Sequence, residues 1–302
     1  KTITPDENKI EEIDRQFRED KFALAEYNLQ DAVLVTDIFS KTGLIVLSVR
    51  RAQISGLLMD QLGMMTAAFD HFYLPRLHRA GFAAPNLKDI QTNEHAAGGY
   101  VIEPTPGIYE NIIVLDFKSL YPSIIQTFKI DPYSLLMKDV DTIQTLNGYK
   151  FSASLHILPD FIDELMKLRD IAKKKKDKQL SQAIKILMNS FYGVMGSYGC
   201  RFYHPDLPRA ITGSGHKLLL GSKDYLENKG LKVVYGDTDS LFVMLNDISV
   251  DDGEAQGKKI VKELNSFWKN KLKKEFKVES YLELEFEKYY RYRYSIDIER
   301  PQ

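Results

Sequence analysis

Two aspartates separated by a single residue, Asp237 and Asp239, lie in the segment Tyr235-Gly236-Asp237-Thr238-Asp239-Ser240. Side chains two apart on extended backbone point the same way, so both carboxylates can converge on one cation. A hard ion such as Mg²⁺ takes one or two carboxylates and fills its other positions with water and phosphate oxygens. Gly, Asp and Ser are also default turn residues, and taken alone the segment favours an Asp-rich turn. The reading changes with Asp116, which follows directly on the apolar run Ile112 to Leu115. A charge next to a buried strand is costly unless it is paired or holds a metal. The turn after Asp116 leads into a helix whose first N–H groups form a cradle for phosphate oxygens. Three carboxylates on two neighbouring strands would hold two Mg²⁺ ions roughly 3.5–4 Å apart, the clamp for in-line phosphoryl transfer.

A third segment, Lys185-Ile186-Leu187-Met188-Asn189-Ser190-Phe191-Tyr192-Gly193, supplies what a nucleotide needs. At helical spacing Lys185, Asn189 and Tyr192 share one face, while Ile184, Leu187, Phe191 and Met195 share another. One face packs; the other offers a cation, an amide and a flat ring. Arg169 and Lys173, four apart on the preceding helix, add two cations if the two helices pair antiparallel. The run Lys174 to Lys176 reads as a solvated face.

The elements that must position these groups follow from hydrophobic periodicity. Glu7 to Thr42 reads as helices, with Leu29, Val33, Val35 and Ile38 at helical spacing, and Ile54 to His78 as a second helical stretch. Pro85, Asn86 and the Gly98-Gly99 pair mark a linker. Ile112 to Leu115 reads as a strand covered on both faces. Leu158 to Met195 reads as two helices joined near Asp177 to Ser181, and Pro208 to Asn228 as another ending at Gly230. Val233 to Tyr235 and Leu241 to Leu245 form a hairpin around the two aspartates. Asp251 or Asp252 is placed to cap a helix through Ile260, Leu264, Phe267 and Leu272. Between Tyr281 and Lys288, Leu282, Leu284 and Phe286 alternate with Glu283, Glu285 and Glu287. The fold class is α+β: a sheet domain interrupted by a helical projection and preceded by a mainly helical segment.

The 302 residues suffice for two or more structural units. A net charge of −1 argues against a generic polyanion binder. That argument is weak here, because Lys167 to Lys185 is strongly basic and acidic residues collect elsewhere. A single cysteine excludes an internal disulfide framework and fits a reducing cytoplasm. No apolar run approaches the ~20 residues that span a bilayer, so no membrane partner is expected.

These three segments, in this order, resemble conserved regions of family B DNA polymerases: D-x-x-S-L-Y-P-S-I-I, K-x-x-x-N-S-x-Y-G and Y-G-D-T-D-S. Further stretches resemble the bacterial DNA polymerase II subgroup: His78-Arg79-Ala80-Gly81-Phe82, Gly98-Gly99-Tyr100-Val101, Cys200-Arg201-Phe202-Tyr203 and Leu282-Glu283-Leu284-Glu285. The resemblance runs from about Glu12 to Lys288. It implies that Asp116 and Asp239 are the principal metal ligands, with Asp237 alongside, and that two Mg²⁺ ions are the cofactors. It implies that Tyr121 sits under the deoxyribose and excludes a 2′-hydroxyl. Ser119 and Leu120, with Arg169, Lys173 and Lys185, would hold the triphosphate; Asn189 and Tyr192 would line the nascent base pair. Gly98 and Gly99 match a link that contacts template DNA, where close backbone approach requires glycine. Tyr27 and Asp31 match Y-x-x-x-D, the third motif of a 3′–5′ proofreading exonuclease.

The implied organisation is the end of an exonuclease domain at 1–50 and a helical connection at 51–97. A palm would follow at 98–155 and 198–290, with fingers inserted at 156–197 and the start of a thumb at 291–302. The chain is expected to be an internal piece of a longer protein, since the first two exonuclease motifs and the basic K-K-x-Y segment are not found. Asp297-Ile298-Glu299 has the letters of the first exonuclease motif, read here as chance. The alternating Tyr289 to Tyr294 fits either a strand end or a tracker of DNA backbone. The expected partners are primer-template DNA and deoxynucleoside triphosphates, with a sliding clamp for the full-length parent only. The expected setting is replication or repair in the bacterial cytoplasm, at the nucleoid. Two alternatives stand beside this: a module that grips primer-template without turnover, and a nucleotide cyclase or reverse transcriptase. The latter does not account for the Asp116 to Ile125 or Lys185 to Gly193 segments.

Overall fold

Helical periodicity dominates the first third of the chain, and the computed structural model, which describes residues 9–90, 98–104, 106–245 and 250–295, forms helices there. They are α1 (Lys9–Glu19), α2 (Lys21–Thr42) and α3 (Leu44–Ser55). Asp20 caps α2 by accepting from the Ala23 N–H, and Gly43, at φ +67°, turns the chain through 63° into α3. The apolar positions of α2 do lie on a helix, yet none of its side chains is buried, and Leu29, Val33, Val35 and Ile38 stay exposed. Among the described residues no single helix is long and apolar enough to cross a membrane.

The stretch Ile54 to His78 is broken rather than continuous. Gly56 adopts φ +70° and ends α3, a short 3₁₀ turn follows at Met59–Gln61, and α4 (Met65–Arg79) starts afresh. Glycine in the left-handed region stops a helix without steric cost, which apolar spacing alone does not reveal. Helix α4 buries Phe69, Phe72, Tyr73 and Leu77 and anchors an aromatic cluster with Phe161, Phe191 and Phe202.

The sheet begins with β1 (Val101–Ile102) and β2 (Gly107–Phe117). After β2 come α5 (Leu120–Phe128), α6 (Pro132–Leu136) and the small hairpin β3 (Thr142–Gln144) with β4 (Lys150–Ser152). The helical projection is α7 (Leu158–Lys174) and α8 (Lys178–Met195), which pack together across a three-residue junction; Asp177 caps α8 through the Leu180 N–H. Next come α9 (Asp206–Glu227), then β5 (Lys232–Asp237) and β6 (Ser240–Met244) as the expected hairpin. Gly230, at φ +80°, follows α9, where the Leu231 N–H bonds back to the Leu226 carbonyl. Helix α10 (Val250–Lys271) starts before Asp251 and Asp252 and so takes both into its first turn, not its cap. It runs into a π-helical turn at Leu272–Phe276, and β7 (Leu284–Ser295) closes the sheet. The boundary expected at residue 291 falls inside β7.

The five strands run in the order β1-β5-β6-β2-β7, each pair antiparallel. Ile113, Leu115, Leu241, Val243 and Leu284 enter the main core with α9 and α10, while Ile112 and Val234 form a smaller cluster with Tyr109. Because strand side chains alternate, Asp116 falls on the face opposite Leu115. Asp131 binds the projection to this core. It is fully buried and accepts from Tyr73 Oη (2.8 Å), Ser134 N (3.0 Å), Ile157 N (3.3 Å) and Leu158 N (3.0 Å). One carboxylate thus joins α4, the start of α6 and the start of α7.

Candidate active site

A burial pattern that keeps β2 covered up to Leu115 delivers Asp116, half-buried, to the edge of a cavity of about 310 Å³. Asp239, Thr238, Ser119, Leu120, Tyr121, Lys185, Asn189 and Tyr192 line the same cavity. Three segments well separated in sequence therefore meet. The Phe117 N–H donates to the Asp239 carbonyl at 2.8 Å, which ties the end of β2 to the β5–β6 turn.

Both carboxyls of this pair have raised proton affinity. Burial, then the nearby charges of Asp239 and Glu287, push the Asp116 carboxyl up to about 7, against a smaller opposing pull from Lys185. Burial also raises Asp239, with the charges of Asp237 and Glu287 adding to it. Like charges crowded in a partly desolvated site disfavour ionisation of each other.

Asp237 stands differently. Ser240 of β6 lies opposite both Asp116 and Asp237, so a whole strand separates the latter two; β2 and β5 are not neighbours as expected. Nor is the segment from Asp237 to Asp239 extended. Thr238 has φ +53°, and the Asp239 N–H bonds the Asp237 carbonyl at 2.6 Å, closing a three-residue turn. The Asp237 carboxylate accepts from Thr238 Oγ1 at 2.9 Å and from Tyr235 Oη at 3.5 Å. Among the described residues no group of three or more His, Cys, Asp or Glu side chains is gathered as a metal cluster. The donor set still fits a hard cation: two carboxylates with raised proton affinity, beside room for substrate oxygens.

The turn between β2 and α5 borders the same cavity. Ser119 is at φ +49° and makes no side-chain cap, leaving the first N–H groups of α5 uncapped at the cavity wall. Non-glycine residues rarely adopt positive φ, and here Ser119 and Thr238 both do so around one cavity. Tyr121 lies against Tyr192 with ring centres 4.6 Å apart and planes tilted by 45°; burial pushes Tyr121 up to about 12 and raises Tyr192 as well. Lys185 and Asn189 are exposed on α8, while Leu187 and Phe191 are buried, as the two-faced reading of that helix requires.

Arg169 and Lys173 do not reach this cavity. They line a smaller one of about 130 Å³ with Lys118, Ser123, Tyr281 and Glu283, and Arg169 Nε is buried there without a partner. Gly98 and Gly99 precede β1 outside the cavity lining, with Gly99 against Thr238 of the β5–β6 turn. Tyr27 and Asp31 sit on α2, which packs on α1 and α3, and neither lines the cavity. Asp297 to Glu299 lie outside the described residues.

Glu287 is the residue that sequence reading missed. Leu115 pairs with Phe286 while Val114 pairs with Lys288, so Glu287 is the extra residue of a β-bulge. Bulges re-aim side chains beside active sites, and this one brings Glu287 to bear on both Asp116 and Asp239. Glu285 lies directly opposite Asp116, and Lys118 offsets it by pairing with Glu283 (3.0 Å) and Glu285 (3.3 Å). The Leu/Glu alternation was the available signal; the bulge was not visible in it.

Comparisons with known proteins show the family to which these segments belong. Residues 68–293 match the family described as DNA polymerase family B. The chain is 44% identical over 297 residues to DNA polymerase II of Escherichia coli (strain K12), covering 96% of this chain and 38% of that protein. It is 32% identical over 239 residues to a DNA polymerase of Thermococcus gorgonarius, covering 73% of this chain and 30% of that protein. The family B DNA polymerase structure from Pyrobaculum calidifontis superposes with a TM-score of 0.64 at 24% identity, over 92% of this chain and 36% of that one. The chain thus spans less than two fifths of these relatives.

Proposed function

Because the chain belongs to DNA polymerase family B, we propose that it is the synthetic core of a template-directed DNA polymerase, adding deoxynucleotides to a primer 3′-hydroxyl. One observation carries this: Asp116, Asp239, Lys185, Asn189, Tyr121 and Tyr192 line one cavity at the end of a covered strand. A phosphoryl-transfer site has to place anionic ligands, a cation for phosphate and flat rings for base or sugar within one substrate's reach.

Asp116 and Asp239 would hold the divalent cation, with Mg²⁺ the natural choice for oxygen ligands. Bound there, it supplies Lewis acidity that makes the primer hydroxyl a better nucleophile and offsets charge on the departing pyrophosphate. The two-ion arrangement would draw on Asp237 as well. Lys185 would meet phosphate oxygens from α8, and the free N–H groups at the start of α5 would donate to them. Arg169 and Lys173, in the adjoining cavity beyond Ser123, would serve the far end of the triphosphate. Tyr121, held against Tyr192, would form the floor under the sugar and leave no room for a 2′-hydroxyl. Asn189 and Tyr192 would flank the new base pair, and the Gly98–Gly99 link would lie along the template.

The division into exonuclease end, palm, fingers and thumb belongs to the same proposal. So do proofreading by a longer protein carrying Tyr27 and Asp31, work in replication or repair in the bacterial cytoplasm, and any sliding-clamp contact of that protein. The test is primer extension by the full-length protein with primed template, Mg²⁺ and four deoxynucleotides. Products complementary to the template are expected; extension that ignores the template overturns the reading.

A further inference from the structure

The contact between the glycine link and the catalytic turn is closer than a DNA-facing linker requires. A Cβ on Gly99 would lie 2.5 Å from Thr238 Oγ1 and 3.1 Å from its Cγ2, so no side chain at position 99 fits without moving Thr238. The contact is reciprocal: a Cβ on Gly236 would come within 2.8 Å of Ile102 Cδ1. Between these glycines, β1 pairs with the last two residues of β5, Val101 opposite Asp237 and Ile102 opposite Gly236. The Thr238 N–H donates to the Tyr100 carbonyl at 2.9 Å. The Tyr100 ring rests 5.1 Å from that of His216 on α9, which fixes the link to the body of the fold.

Thr238 is also the strained member of the turn. A β-branched residue with positive φ is a true outlier, and it persists only where its surroundings hold it. What holds it is visible: the bond to Tyr100, the absent side chain of Gly99, and its own hydroxyl donating to Asp237 Oδ1 at 2.9 Å.

We propose that Thr238 is a positioning residue that aims the Asp237 carboxylate, and that the Gly98–Gly99 link holds it in place by docking on the catalytic turn. The inference rests on the polymerase reading for its effect on turnover. Its geometric half, the docking of Gly99 on Thr238, stands apart from that reading. A link that touches DNA and also sets the turn would transmit the presence of a correctly seated template to Asp237.

Two sets of variants of the full-length protein test it. Thr238→Val keeps the shape and loses the hydroxyl, whereas Thr238→Ser keeps the hydroxyl and loses a methyl. Losing a hydrogen bond to a charged acceptor lowers kcat about tenfold in Thr238→Val, with nucleotide KM within about threefold, while Thr238→Ser stays within about threefold of wild type. A residue that merely fills space gives the reverse order, and Thr238→Val as fast as Thr238→Ser overturns the positioning role while primer extension by wild type still supports the polymerase.

The docking is read by a double-mutant cycle on melting temperature, which needs no turnover. Gly99→Ala should lower the melting temperature by roughly 3 °C or more in the wild-type background and by under about 1 °C with Thr238→Gly, which removes the clash and accepts the turn. Equal drops in the two backgrounds overturn the docking, whatever the activity.

Discussion

Removing the charge of Asp116 should stabilise the metal-free protein while silencing it. Burial and the charges of Asp239 and Glu287 push the Asp116 carboxyl from 3.8 up to about 7. A carboxyl raised in the folded state favours folding most when protonated: its contribution is full below the unfolded value and is lost as pH rises through the folded one. Between about pH 4 and 7 the native protein therefore holds a proton that the unfolded chain has released, and above about pH 7 the ionised group is carried at a cost. At about 1.4 kcal/mol per pH unit the full displacement corresponds to ~4 kcal/mol. Asp116 is only half-buried, and solvent screening reduces this to ~1–2 kcal/mol. Asp116→Asn copies the protonated form. In urea unfolding with EDTA at pH 8, it should be more stable than wild type by ~1–2 kcal/mol, with the gain falling towards zero near pH 4. Added Mg²⁺ should favour wild type and shrink the gap at pH 8. A variant less stable than wild type at pH 8, or a gain that ignores pH, refutes the reasoning.

Asp131→Ala leaves Tyr73 Oη and the N–H groups of Ser134, Ile157 and Leu158 without their acceptor. It should cost ~3–5 kcal/mol, measured as a lower urea midpoint, and a loss under ~1 kcal/mol would show that water replaces the carboxylate. Tyr121→Ala should raise incorporation of ribonucleotides relative to deoxynucleotides by roughly tenfold or more in single-nucleotide extension, since a filled floor would become open space; an unchanged ratio removes Tyr121 from sugar selection.

The parts of this fold that depend on periodicity could be read in advance. The covered run Ile112 to Leu115, the two faces of α8 and the hairpin around Asp237 and Asp239 are local patterns, and the structure keeps them. What could not be read depends on partners or on backbone handedness. Nothing in the spacing says that β6 lies between β2 and β5, so Asp237 could not be set apart from Asp116. The positive φ of Thr238 contradicts the preference of a β-branched residue, and only the neighbouring Tyr100 and Gly99 explain it. A bulge places Glu287 at the site, and alternation by itself assigns it only to a solvent face. The apolar spacing of α2 predicted a helix correctly, but spacing does not show what would cover that face. Arg169 and Lys173 were grouped with Lys185 by charge, yet α7 holds them in a separate cavity.

The most direct test of the central claim compares Asp239→Ala with wild type in the full-length protein, following nucleotide incorporation and primer-template binding side by side. Loss of a group that holds the reaction's cation should cut incorporation at least about a thousandfold and leave DNA affinity within about threefold. Comparable loss of both would mean that Asp239 supports DNA binding or the fold, and the site would read as a grip on primer-template rather than a centre of catalysis.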